Sequence, residues 1–268
     1  AAALHVIFVT DGPPIGTQAR MLVNAGQRSS ARIFEHHVGR GTGWTNAMTE
    51  LRCGEASQLT YVKLQNEHHE ADHIAAQHVR LGVDSVFRAA HIDLGARLAR
   101  NDLKIGMTGS GARAELFGLF LADGRRHVDH HTRTDHRAAH TVSREHYRGI
   151  LSEHGRGVFN GKVIVHEQAG GTDARLDNRN LLLAKTAEID TKPELEIYTD
   201  DVKCAHGATT GQLDEQALFY LRARGIPRHA ARRMLVLAFA RDIFQQFDAA
   251  ESELVDYVNR ALERRLPN

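Results

Sequence analysis

Cys204 and His206, two residues apart, are the pair in this chain best suited to chemistry. Thiolate and imidazole both suit soft or borderline metals, among them zinc, copper and iron–sulfur clusters. On an extended strand, residues two apart point to the same side, so both could reach one metal. A cluster takes about four protein ligands and a zinc site three or four. The only other cysteine, Cys53, lies far upstream. Any metal held at Cys204 and His206 is therefore shared with another polypeptide or with a substrate. On spacing alone, the plainer reading is a buried thiol beside an ordinary histidine.

A second candidate is the run Arg125–His136, where several of the 18 histidines cluster. Strand alternation puts His127, Asp129, His131, Arg133 and Asp135 on one face, and Val128, His130, Thr132, Thr134 and His136 on the other. A solenoid zinc-dependent hydrolase or lyase would use His130 with His136 and a nearby carboxylate. Against it stands a polar face laced with His–Asp hydrogen bonds, on which Arg133 disfavours a cation; that reading is preferred. Gly106–Gly111 is glycine-rich but falls on a repeat turn. There is no Gly-x4-Gly-Lys-Ser/Thr loop, Gly-x-Ser-x-Gly elbow or Cys-x-x-Cys pair.

The elements that position these residues follow from a repeat. Glycines 26, 54, 82 and 109 are spaced by 28, 28 and 27 residues, and each opens a short polar turn followed by an apolar strand. A second strand closes each unit: 48–53, 77–81 and 103–107. Two strands of about six residues and two turns fill roughly such a period. No unit that small buries its own apolar face, so the units must stack into a β-solenoid. Glycine is expected at the turns for its freedom to adopt positive φ. Residues 1–200 show no convincing amphipathic helix, which disfavours a Rossmann or barrel fold; a β-sandwich with coincidental spacing is the remaining alternative.

The β character is expected to end near Cys204. Asp214 is a candidate N-cap for a helix through Arg222, with Gly225 as its stop. Pro227 precedes a second helix carrying Met234, Leu235, Leu237, Phe239, Ile243, Phe244 and Phe247. A third helix spans 252–266 with Leu254, Val255, Val258 and Leu262 on one side. The chain thus divides into a β-helix core, 1–211, capped by a helical domain, 212–268.

Composition narrows the function. With 34 basic and 33 acidic residues the net charge is +1, without the basic excess of a nucleic-acid binder. No apolar run approaches the roughly 20 residues of a membrane span, and the first residues lack a signal-peptide pattern. Two cysteines imply no disulfide framework. A cytoplasmic protein with reduced thiols is expected.

The segments Ala99–Leu103, Leu121–His131, Gly157–Val163, Thr172–Arg175, Asn178–Leu183 and Lys192–Gly225 together resemble, in order, the SufB/SufD family of iron–sulfur cluster assembly proteins. The His-Val-Asp-His-His block and Lys-Cys-Ala-His-Gly-Ala favour its SufD branch. The resemblance implies a right-handed parallel β-helix with a C-terminal helical domain, and a non-catalytic scaffold. It implies pairing with SufB, or with itself as a homodimer, through the β-helix end near 190–210, and docking of the SufC ATPase on the C-terminal helices. Iron or an iron–sulfur cluster would be held transiently across the SufB–SufD interface, with His206 as ligand and Cys204 adjacent; no nucleotide would bind this chain itself. Two departures are notable. Family members carry an N-terminal helical region that this sequence is expected to lack, and Ala205 replaces the usual Ser.

Overall fold

The computed structural model describes residues 2–12, 15–243 and 252–265. Sixteen strands alternate between two sheets. In chain order they are β1 (Ala2–Thr10), β2 (Gly16–Thr17), β3 (Arg20–Ala25), β4 (Ser30–Gly39), β5 (Trp44–Cys53), β6 (Gln58–Asn66), β7 (Asp72–Leu81), β8 (Val86–Asp93), β9 (Leu98–Met107), β10 (Arg113–Ala122), β11 (His127–His136), β12 (Val142–Leu151), β13 (Arg156–Val165), β14 (Thr172–Leu182), β15 (Glu188–Ile197) and β16 (Val202–Gly211). Even-numbered strands from β4, joined by β1, form one parallel sheet in the order β1-β4-β6-β8-β10-β12-β14-β16. Odd-numbered strands form the other, from β15 down to β5, where β2 and β3 pair. This is the expected parallel β-solenoid, each strand lying beside the strand one coil earlier.

The period is less regular than the glycines suggest. Paired residues are 28 apart at Ser30 and Gln58, 26 at Asp72 and Leu98, and 32 at Arg156 and Glu188. Most strands run about ten residues rather than six. The repeat turns correct the role expected of glycine. Ser57 N–H donates to the Gly54 carbonyl at 3.2 Å, and its hydroxyl donates to the same oxygen at 2.8 Å; Ser85 and Gly82 repeat the pattern. Positive φ falls two residues after the repeat glycine, at Arg28, Ala56, Asp84 and Gly111. Three of the repeat glycines, Gly54, Gly82 and Gly109, are needed for close approach instead, while Gly26 faces open space. A Cβ on Gly109 would lie 2.0 Å from the Val83 nitrogen of the neighbouring turn, and one on Gly82 would lie 2.9 Å from the Cys53 oxygen.

Between the sheets lies an apolar core of residues including Leu51, Tyr61, Leu81, Phe87, Ile105, Leu116, Tyr147 and Phe159. Beside it runs a buried polar lane containing Glu35, His37, Lys63, His73, His91, Asp93 and His130.

Three helices follow: α1 (Glu215–Arg222), α2 (Arg228–Arg241) and α3 (Ser252–Arg265). The Asp214 carboxylate accepts from the Gln216 N–H at 2.8 Å, and Gly225 has φ +82°, as the capping pattern predicts. Pro227 precedes α2. Phe244, Phe247 and Leu266, and the Leu254 side chain, lie outside the described residues. The helices do not close the end of the solenoid. α2 and α3 fold back along the outer face of the even-numbered sheet, where Val236, Ala240, Ile243, Val258 and Leu262 join Val62, Leu64, Ile92, Phe117, Leu119, Ile150 and Leu181 in a second core. Arg265 Nη2 donates to Asn66 Oδ1 at 2.9 Å and fixes the far end of α3. None of the described helices is long and apolar enough to cross a membrane.

Candidate functional site

Both sheets end at the last coil. Among the described residues β15 pairs only with β13, and β16 only with β14, so each offers a free backbone edge. On β14, Ala174 and Leu176 are buried in the interior core. Their partners in register are Cys204 and His206. In-register neighbours turn their side chains to the same face, so Cys204 and His206 share the interior row, as their spacing requires. The strand itself extends to Gly211, beyond its expected end near Cys204. The reason is its backbone pairing with β14, which holds Gly207–Gly211 extended despite their small, polar side chains.

Cys204 is half-buried against the core, whereas His206 has no coil over it and is exposed. The His206 ring makes no hydrogen bond or ion pair with any described residue. Burial raises the Cys204 thiol pKa above its ordinary value, an effect that a hydrogen bond from the Ala174 backbone opposes. A metal binding there would displace the thiol proton. Among the described residues, neither side chain belongs to a group of three ligand-type residues near enough to share an ion. Cys53 is a core residue, its thiol pushed up to about 12 by burial.

Residues 205–207 also form one wall of an outer hollow that includes Arg148, Asp177 and Asp242. Arg148 donates to Asp177 Oδ2 at 2.8 Å and to Asp242 Oδ2 at 3.1 Å. The residue just past α2 is thus tied to β12 and, through Arg148, to Asp177 on β14, the strand beside the candidate pair.

The His/Asp-rich strand β11 alternates as expected, but not as a zinc centre. His136 spends both ring nitrogens on Thr141 Oγ1 at 2.7 Å and Ser143 Oγ at 3.0 Å. His130 Nε2 instead lies 2.8 Å from Asp93. On the outer face Asp129 meets Arg100 and His131, and Asp135 meets Arg133 and His166. These are the laced His–Asp and Arg–Asp contacts of the structural alternative.

Among the described residues, two groups of three ligand-type side chains do converge: buried His37, Glu67 and His73, and the surface run His68, His69 and Glu70. Sequence reasoning passed over both. The surface group is contiguous and visible in the sequence. The buried one is drawn from three separate segments and has no local signature.

Residues 8–239 match the SufBD core domain of the SUF system for FeS cluster assembly. An iron–sulfur cluster assembly SufBD family protein of Synechocystis sp. is 34% identical over 259 residues, covering 92% of this chain and 57% of that protein. The iron–sulfur cluster assembly protein SufD of Escherichia coli is 31% identical over 267 residues, covering 98% of this chain and 63% of SufD. A SufBD family protein of Mycobacterium bovis is 33% identical, covering 95% and 66%. The chain therefore spans roughly three-fifths of the length of these relatives. With a parallel solenoid, a matching core domain over most of its residues and the Cys-Ala-His segment on the terminal strand, this chain belongs to the SufBD family of iron–sulfur cluster assembly proteins.

Proposed function

We propose that this chain is a non-catalytic scaffold subunit for iron–sulfur cluster assembly, holding iron or nascent cluster at an interface formed by its last coil. The observation that carries this reading is the placement of His206. It is an exposed imidazole without a partner, on the interior row of an edge strand, next to Cys204. Two ligands fall short of the about four that a cluster requires, so a second polypeptide must supply the others. The free edges of β15 and β16 suit a partner that continues the sheets by strand pairing. In this reading the partner is SufB, or a second copy of this chain in its absence.

The C-terminal portion, residues 212–268, would dock the SufC ATPase. Phe219 at 71% exposed, Tyr220 at 56% and Met234 at 48% support this, because they give α1 and α2 an uncovered apolar face. Movement of the helices on nucleotide binding by SufC would reach β14, the strand beside β16, through the Arg148–Asp242 and Arg148–Asp177 contacts. His206 would ligate metal, and Cys204 would serve as a secondary ligand or a structural neighbour.

The test is co-expression of the full-length protein with SufB and SufC, comparing wild type with His206→Ala. Iron, acid-labile sulfide and visible absorbance are read per complex. A complex that assembles but loses its cluster on substitution supports the reading. Unchanged cluster content removes His206 from the site, and failure of the wild type to form any complex overturns the scaffold role.

A further inference from the structure

The buried group inside the N-terminal half has the construction of a metal site. His37 and His73 are 1% and 0% exposed and Glu67 is 3% exposed. One ligand atom from each lies within 4.8 Å of the others. Ligand atoms on opposite sides of one ion stand at most about 4.4 Å apart at ordinary metal–nitrogen and metal–oxygen distances, so small shifts close the group on a cation.

The surrounding contacts leave three of the group's ring nitrogens without a hydrogen bond. His37 Nε2 is held by Glu35 Oε1 at 2.6 Å, while its Nδ1 is buried with no hydrogen-bond partner. Glu35 is itself fixed, accepting from Thr49 Oγ1 and Tyr61 OH, each at 2.7 Å. A carboxylate that orients a histidine through one nitrogen and leaves the other free is the outer shell of a metal-binding imidazole. Glu67 accepts from Thr45 Oγ1 at 2.6 Å and from Gln65 Nε2 at 3.1 Å. His73 Nδ1 lies 2.7 Å from Glu67 Oε2 without hydrogen-bond alignment, and neither of its ring nitrogens has a partner. A buried polar atom left unpaired is destabilising. Three nitrogens left unpaired here, His37 Nδ1 and both of His73, belong to this one group. The adjoining lane holds three buried carboxylates, Glu35, Glu67 and Asp93, beside one ammonium, Lys63, so a bound cation also relieves a local excess of negative charge.

We infer that His37, Glu67 and His73 form a buried site for one divalent first-row transition metal ion, within the solenoid and separate from the last coil. Two imidazoles and a carboxylate select zinc, iron or cobalt in the divalent state over magnesium or calcium. The inference does not rest on the role proposed for His206.

The probe is Co2+ added to the metal-stripped full chain, followed by gel filtration, elemental analysis and visible d–d spectroscopy. One retained Co2+ per chain is expected. Glu67→Gln and His73→Gln should weaken retention by at least the about 10- to 100-fold that outer-shell partners alone command, with the far-ultraviolet circular dichroism unchanged. The double variant His68→Ala/His69→Ala should retain the ion. Loss of binding in that surface variant, or full retention in both buried variants, overturns the site. Should the buried variants fail to fold, X-ray absorption of the Zn2+-loaded wild type decides. Scattering from two imidazoles and one carboxylate upholds the site. A different ligand set, or no retained ion, refutes it.

Discussion

His73 and His206 are the same residue type on the interior row of the same solenoid, and they differ in what covers them. His73 lies under neighbouring coils and has Glu67 and His37 within reach of a shared ion. His206 lies on the last coil, with solvent where the next coil would be and no third ligand nearby. A stacked fold thus makes two kinds of position from one repeat. Interior coils can complete a site from their own residues, while a terminal coil has half a site and an unpaired edge. Position along the stack, more than residue type, decides whether a ligand acts alone.

Substitutions can break that contrast. The largest effect is expected at Lys63, whose Nζ donates to Asn101 Oδ1 at 2.7 Å and lies 4.0 Å from Asp93. Lys63→Met leaves Asp93 without its buried cation and should cost about 3–5 kcal/mol in urea unfolding. A midpoint unchanged by the substitution would mean that the polar lane is not dry.

Acid comes next. Burial lowers the pKa of His91 from 6.5 to about 3 and that of His136 to about 4. Lys63 and His130 reinforce the shift at His91 while Asp93 and Glu35 oppose it; at His136, His166 reinforces and Asp135 opposes. Above pH 6.5 both rings are neutral whether the chain is folded or not. Between 6.5 and the lower values the unfolded chain takes up protons that the folded chain refuses, so stability falls as pH falls. Each ring should remove about 1.4 kcal/mol per pH unit in that window. Urea titrations at pH 7 and pH 5 would measure the loss, and His136→Gln should reduce it.

A smaller gain is expected at the repeat turn. Ala56 has φ +52°, a left-handed conformation that costs an L-residue about 1 kcal/mol. Ala56→Gly should raise the melting temperature, provided its greater chain entropy does not cancel the relief. Smallest of all is His206→Ala, expected to change stability by less than about 0.5 kcal/mol because the ring is exposed and unpartnered. A large loss there would show that His206 supports the fold, and the contrast with His73 would fail.

Much of the solenoid was legible because its turns carry glycine where the preceding coil's backbone passes close, as at Gly82 and Gly109. What that spacing cannot convey is which turn residue takes positive φ, since Arg28, Ala56 and Asp84 do so without being glycine. β16 was cut short because its last residues, Gly207–Gly211, pack no apolar side chains; only the backbone ladder to β14 makes them a strand. The return of α2 and α3 over the sheet left one readable trace, the run Leu116–Ala122, buried on both faces. A continuous apolar strand of that kind calls for a covering layer on each side. Of the candidate site, the shared side of Cys204 and His206 followed from strand alternation. The His37–Glu67–His73 group did not, because folding alone brings its three segments together.

Among the described residues, the second core, under α2 and α3, draws on strands β6 to β14 of the even-numbered sheet but on no residue of β16. The described residues of the helices therefore act as a splint along the middle of the rod and do not brace its tip. In hydrogen–deuterium exchange the amides of β16 should label first, through fraying that leaves the splinted coils closed. A tip able to loosen alone can exchange partners without the cost of opening the rest of the molecule.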